Sequence, residues 1–200
     1  MTRIKLCGLS RKCDIEWANE LKPDYIGFVF AKKSRRYVDY EKAKELRAAL
    51  DKDIESVGVF VNDDIENILY LLNEDIINIV QLHGSEDDEY IARLRRKTNN
   101  TIFQAFRIDT IDDIMRANSS KADMVLLDSG QGGTGTSFDW SLLGEMKREY
   151  ILAGGLDSNN LSMLLSGYQP YGVDVSSGIE SDGYKDKGKM TAFVTAVRKG

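Results

Sequence analysis

The chain of 200 residues is poor in three residue types: it has two cysteines, two prolines and one histidine. Cys7 and Cys13 make no disulfide framework, so free thiols and a cytoplasmic location are expected. His83 stands alone, and neither CxxC nor HExxH spacing occurs, so no metal site is expected. With so few prolines and no Pro/Gly/Ser-rich linker, nothing divides the chain, and one domain over residues 1–200 is expected. No apolar run approaches the roughly 18 residues of a membrane span. The opening MTRIKLCGLS lacks the apolar core of a signal peptide. A basic excess is missing too: Lys+Arg is 27 against Asp+Glu 32, a net charge of −5, which argues against non-specific nucleic-acid binding. What remains is a globular composition, 42% hydrophobic and 30% charged.

Short β-branched or aromatic runs alternate with charged helical stretches. Strands are predicted near Ile4–Cys7, Tyr25–Phe30, Ser56–Val61, Ile79–His83, Ile102–Arg107, Met124–Asp128, Tyr150–Ala153 and Gly172–Ser176. They start roughly 24 residues apart, enough for a strand, a helix of about three turns and two loops. Between them, helices are predicted over Asp14–Leu21, Tyr40–Leu50, from Ile65 to Leu72, from Ser85 to Lys97, from Asp157 to Leu165 and over Lys189–Arg198. Eight such units match a single-domain (β/α)8 barrel. A doubly wound open sheet is the competing architecture, but it usually needs only five or six strands.

Barrel strands point alternate side chains inward and outward. In several strands, polar residues fall on one parity only. Lys5 and Cys7 oppose Ile4 and Leu6; Gln81 and His83 oppose Val80 and Leu82; Asp174 and Ser176 oppose Val173 and Val175. Asp128 is flanked by Leu127. The polar set is therefore inward, mostly at C-terminal strand ends, the active-site face of such barrels. Taken singly, Cys7 also reads as a small buried hydrophobe and His83 as a satisfied core histidine. Lys5 lies one inward position below Cys7, and the eighth strand neighbours the first, so a Lys5–Asp174 pair is expected; a charge that deep must be paired.

Anion handling is a second pattern. Gly154 and Gly155 follow the seventh strand; Ser176, Ser177 and Gly178 follow the eighth. These are the two loops where barrels commonly hold phosphate on backbone N–H groups; tight turns are the plainer reading. Arg35 and Arg36 could clamp a carboxylate or simply be a solvated basic loop. Gly132-Gly133-Thr134-Gly135 lacks the GK[ST] of a P-loop and reads as a mobile loop over a substrate.

Ordered motifs along the chain resemble those of phosphoribosylanthranilate isomerases. They are Ile4-Lys5-Leu6-Cys7-Gly8-Leu9, Gly27-Phe28-Val29-Phe30, Ser34-Arg35-Arg36-Tyr37-Val38 and Val57-Gly58-Val59-Phe60-Val61-Asn62. They continue with Val80-Gln81-Leu82-His83-Gly84, Leu127-Asp128, Phe138-Asp139-Trp140, Ala153-Gly154-Gly155-Leu156 and Val173-Asp174-Val175-Ser176-Ser177-Gly178-Ile179-Glu180. The resemblance implies an aldose–ketose isomerase of tryptophan biosynthesis, its third step from chorismate. The reaction is the Amadori rearrangement of N-(5-phosphoribosyl)anthranilate to 1-(2-carboxyphenylamino)-1-deoxyribulose 5-phosphate.

It further implies Cys7 as general base and Asp128 as general acid. Arg36 would face the anthranilate carboxylate, and Gly154, Gly155, Ser176, Ser177 and Gly178 would hold the phosphate. Asp174, Gln81 and His83 would line the pocket. An iminium intermediate is its own electron sink, so no cofactor is expected. The partner expected is a phosphosugar, with the chain a monomer or homodimer. Cys7 as base calls for a pKa lowered by positive charge, from Lys5, the loop arginines or the iminium; Asp128 as acid calls for a raised one. Arg35 stands where the family often has proline, which leaves open which arginine binds. A related histidine-pathway isomerase is disfavoured because it uses aspartates at the ends of strands one and five, where this chain has Cys7 and Phe106–Arg107. A phosphosugar-binding sensor is the non-catalytic alternative.

Overall fold

In the computed structural model, which describes residues 1–129 and 139–199, eight parallel strands follow one another around a closed ring. They are β1 (Arg3–Cys7), β2 (Tyr25–Val29), β3 (Glu55–Phe60), β4 (Ile79–Leu82), β5 (Ile102–Arg107), β6 (Met124–Asp128), β7 (Tyr150–Leu152) and β8 (Gly172–Val175). Each pairs with the next in sequence, and β8 closes on β1 with Lys5 opposite Asp174. The helices are α1 (Lys12–Leu21), α2 (Tyr40–Ala49), α3 (Ile65–Asn73), α4 (Asp88–Arg95), α5 (Ile111–Ser119), α6 (Leu161–Gly167) and α7 (Lys187–Lys199). A two-stranded ribbon, β9 (Glu180–Ser181) and β10 (Tyr184–Lys185), separates β8 from α7. The expected (β/α)8 barrel is the architecture found.

The strand parity read from the sequence produces two apolar layers. Outward residues such as Ile4, Leu6, Ile26, Phe28, Leu127 and Val173 meet the helices and are buried. Fully burying a leucine such as Leu6 contributes about 2 kcal/mol. Inward residues Tyr25, Val57, Ile79, Phe103, Met124, Leu126 and Ile151 fill the barrel interior as a second cluster. With the interior filled, the C-terminal rim is where such barrels build a site.

Local chemistry sets the helix ends. Asp14 accepts the backbone N–H groups of Ser10 (3.0 Å) and Arg11 (2.9 Å), so α1 starts earlier than its apolar pattern. It ends at Lys22, in the left-handed region (φ 50°), just before Pro23. Asp39 caps α2 through Lys42 N, and Asp87 caps α4 through Tyr90 N, both at 2.8 Å. Glu86 lies outside α4 because its carboxylate is spent on Asn62 N (2.6 Å) and Gly84 N (2.8 Å).

The even strand–helix unit fails in two places. After β6, the described residues carry only a 3₁₀ turn, Trp140–Glu145, capped by Asp139 onto Ser141 N. After β7, α6 begins at Leu161 rather than Asp157, because the Asp157 carboxylate closes a turn onto the N–H groups of Asn159 (2.7 Å) and Asn160 (3.0 Å). Gly132-Gly133-Thr134-Gly135 and Phe138 lie outside the described residues.

Candidate active site

A cavity of about 240 Å³ lies at the C-terminal ends of the strands. Cys7, Gln81, His83, Asp128 and Asp174 line it, all from inward positions on β1, β4, β6 and β8 or just beyond them. Arg36, Gly154, Gly155, Ser176 and Ser177 also face it. Gly178 does not. Its place is structural: a Cβ there would stand 1.9 Å from the Leu156 carbonyl oxygen, so the absent side chain lets the loops after β7 and β8 pack together. Cys13 lies on α1, away from the cavity.

Beneath Cys7, the Lys5 ammonium meets Asp174 Oδ2 at 2.9 Å, with the two side chains 1% and 8% exposed. Burial opposes the Lys5 charge, but Asp174 and Cys7 outweigh it and hold Lys5 above its ordinary range. The other Asp174 oxygen, Oδ1, is buried without a hydrogen-bond partner. An acceptor left in this state on a cavity wall suits a ligand hydroxyl. The expectation that nearby cations lower Cys7 is corrected here. Burial raises the thiol above its ordinary 9.0, and Lys5 and Lys185 only partly offset this against the added repulsion of Asp174.

On the opposite wall, Gln81 Nε2 and His83 Nδ1 lie 2.9 Å apart, and His83 Nε2 is 3.5 Å from Asp128 Oδ2. With Gln81 donating, Nδ1 accepts and Nε2 carries the proton that points at the carboxylate. Gln81 Oε1 is buried without a partner. Gly154 fixes the space around Asp128. Its φ is +80°, and a Cβ there would meet Ser129 N at 2.4 Å and Asp128 Oδ1 at 2.7 Å. Only glycine satisfies both conditions.

Arg36 reaches the rim half-buried, with its guanidinium on Glu180: Nε to Oε1 at 2.6 Å and Nη2 to Oε2 at 3.0 Å. Arg35, far more exposed, adds one bond to Oε2 at 2.6 Å. Lys185 Nζ donates to Glu180 Oε1 (2.6 Å), Ser176 O (2.9 Å) and Ser176 Oγ (3.2 Å). Ser176 Oγ in turn donates to the Cys7 carbonyl at 3.1 Å. Sequence reasoning quotes Glu180 in a motif and Lys185 only in the Ser181–Lys187 loop that follows it, with a role for neither. Lys185 sits in a hydrophilic stretch with no periodicity, so its sequence offers no sign of burial. Among the described residues, no group of three or more His, Cys, Asp or Glu side chains is placed to hold a metal ion.

A closed barrel with a thiol, a carboxylate and an arginine around one cavity agrees with comparison to known proteins. The family model described as N-(5'phosphoribosyl)anthranilate (PRA) isomerase matches residues 4–196. The N-(5'-phosphoribosyl)anthranilate isomerase of Thermoanaerobacter sp. (strain X514) is 44% identical over 204 aligned positions, covering 99% of this chain and 98% of the relative. The crystal structure of phosphoribosyl anthranilate isomerase from Thermotoga maritima superposes with a TM-score of 0.91 at 33% identity, with both chains fully covered. A phosphoribosyl anthranilate isomerase in complex with reduced 1-(o-carboxyphenylamino)-1-deoxyribulose 5-phosphate superposes at 0.88 and 32% identity, again over both whole chains. The chain belongs to the N-(5'-phosphoribosyl)anthranilate isomerase family.

Proposed function

We propose that this chain, as one barrel domain over residues 1–200, performs the Amadori rearrangement of N-(5-phosphoribosyl)anthranilate with Cys7 as general base and Asp128 as general acid. The reaction is that of its family, an isomerase of tryptophan biosynthesis. The observation that supports the residue roles is the convergence of Cys7 and Asp128 on one cavity, from β1 and β6. The sensor reading has no comparable observation in its favour.

The steps follow from the atoms. Asp128, carrying a proton, gives it to the furanose ring oxygen. The C1–O bond breaks as the nitrogen lone pair forms a protonated C1=N bond. The Cys7 thiolate then removes the proton on C2; that electron pair forms C1=C2, and the C=N pair returns to nitrogen. The enolamine gains a proton at C1 and loses one from the C2 hydroxyl, giving the ketose. The iminium itself accepts the electrons, so no cofactor is needed. Its positive charge also answers the raised pKa of Cys7: charge formed beside the thiol adds to Lys5 and Lys185 at the moment the base is required.

Binding uses the rest of the wall. Arg36 takes the anthranilate carboxylate. The Gly154–Gly155 and Ser176–Ser177 loops take the phosphate on backbone N–H groups, and Gly178 supports them from behind. Asp174 Oδ1 accepts a sugar hydroxyl, while His83, oriented by Gln81, steers the Asp128 carboxylate. A phosphosugar analogue occupies a relative of this fold, which agrees with a small-molecule partner rather than nucleic acid. No helix of the described residues is long and apolar enough to cross a membrane; a cytoplasmic monomer or homodimer fits a biosynthetic enzyme.

The test is the decay of substrate fluorescence with wild type, Cys7→Ala, Asp128→Asn and Cys13→Ala in parallel. Loss of either positioned acid–base group is expected to cost about 10²–10⁴-fold in turnover, with Cys13→Ala near wild type. Near-normal turnover in Cys7→Ala or Asp128→Asn would remove that residue from its role.

A further inference from the structure

Lys185 and Glu180 are register partners across the β9–β10 ribbon, and their side chains are only 2% and 5% exposed. A buried ion pair is a poor source of stability, because desolvation offsets most of the attraction. Its geometry suggests another use. Glu180 engages Arg36 side-on, through Nε and Nη2. That bidentate fork fixes the guanidinium plane. Among the described residues, no carboxylate meets the Nη1 end, and Arg36 lines the cavity.

The stem of Arg36 is held as well. Gly8, with φ +77°, passes so near it that a Cβ would stand 2.4 Å from Arg36 Cδ. Three cations, Arg35, Arg36 and Lys185, surround the one Glu180 carboxylate. The rim therefore keeps a positive excess even with Glu180 ionised. Lys185 also donates to Ser176, whose hydroxyl holds the Cys7 carbonyl, so one ammonium ties the arginine rim to the strand end that carries the thiol.

We infer that Glu180, clamped by Lys185, is a specificity-determining positioning residue. It turns the free end of Arg36 toward the cavity and so sets the preference for a substrate whose aryl amine bears a carboxylate. The inference rests on the reading of Arg36 as the carboxylate receptor. Glu180 touches no reacting atom, so its loss acts on recognition of the aryl end rather than on proton transfer.

The experiment compares two substrates, N-(5-phosphoribosyl)anthranilate and the same compound made with aniline, which lacks the carboxylate. Wild type, Glu180→Gln, Glu180→Asp and Arg36→Ala are assayed on both, with folding checked by circular dichroism. Glu180→Gln is expected to raise KM for the anthranilate substrate about tenfold, with kcat held within about threefold, and to leave the aniline substrate's KM where wild type has it. Glu180→Asp keeps the charge but retracts it by one methylene, and falls between. If Glu180→Gln does not fold, Glu180→Asp carries the same comparison. An equal loss on both substrates, or a fall in kcat alone, would overturn the inference and make Glu180 merely structural; so would an unchanged KM. If wild type shows no preference for the carboxylate, or Arg36→Ala keeps its KM on anthranilate, the reading of Arg36 fails first and this one falls with it.

Discussion

Lys5 and Asp174 are direct partners across the β1–β8 seam, and their charged atoms meet at 2.9 Å inside the barrel, one inward position below Cys7. Each neutralises a charge that the interior could not otherwise hold. Removing one leaves the other buried and unpaired, which costs about 3–5 kcal/mol. Asp174→Asn and Lys5→Met are each expected to lose stability on that scale in urea unfolding. A loss below about 1 kcal/mol in both would show that the interior solvates these charges by other means.

The raised pKa of Cys7 predicts a pH profile. The proposed base is the Cys7 thiolate, and burial holds the thiol above 9.0. The base form therefore grows with pH through the neutral range, and the rate at which iodoacetamide alkylates Cys7, followed on its own peptide by mass spectrometry, should climb with it and not level off before about pH 9. A plateau reached by pH 7 would mean that Lys5 and Lys185 outweigh burial after all.

Glu180 predicts behaviour in acid. Burial alone would raise its carboxyl, but hydrogen bonds from Arg36 and Lys185 bring it below its ordinary 4.5. A carboxyl depressed by folding contributes stability that is present above the unfolded value and lost as pH falls through the folded one. Unfolding free energy should drop as pH falls below about 4.5, and Glu180→Gln should flatten that slope. Parallel slopes for the two proteins would assign the acid sensitivity elsewhere.

Gly154→Ala is a stringent test of the site's geometry. The new methyl would require a left-handed backbone and would press on Ser129 N and the Asp128 carboxylate. Backbone strain of this kind costs about 1–3 kcal/mol. Turnover should fall more than tenfold, because even a small displacement of the proposed acid is felt in the barrier. A crystal structure of the variant with Asp128 unmoved, together with full activity, would contradict this.

The strands and their inward parity were readable because a period of two is written directly in the residues. Lys5, Cys7, Gln81, His83, Asp128 and Asp174 all reach the interior or its rim as that parity requires. The Lys5–Asp174 pair followed from parity and ring closure together. What was not readable depends on how segments fold over one another. Lys185 looks solvated in Ser181–Lys187, yet the β9–β10 ribbon buries it beside Ser176. The direction of the Cys7 shift was misjudged for a related reason. Nearby lysines can be counted in a sequence, but the depth of burial that outweighs them cannot. Arg36 lines the cavity, but its side-on hold by Glu180 needs the loop after β8 in three dimensions.

The seam between β1 and β8 also governs when this protein can work. Cys7 lies on the first strand of the barrel, yet Asp174, Ser176, Glu180 and Lys185, which surround or brace it, come from the last fifth of the chain; the Lys5–Asp174 contact spans 169 positions. Half a barrel would hold a thiol with none of this environment. A chain lacking β8 and the ribbon should therefore be inactive, because Lys5 loses Asp174 and the Cys7 strand end loses Ser176. In a refolding experiment, turnover is expected to return with closure of the ring rather than with the first gain of circular dichroism signal.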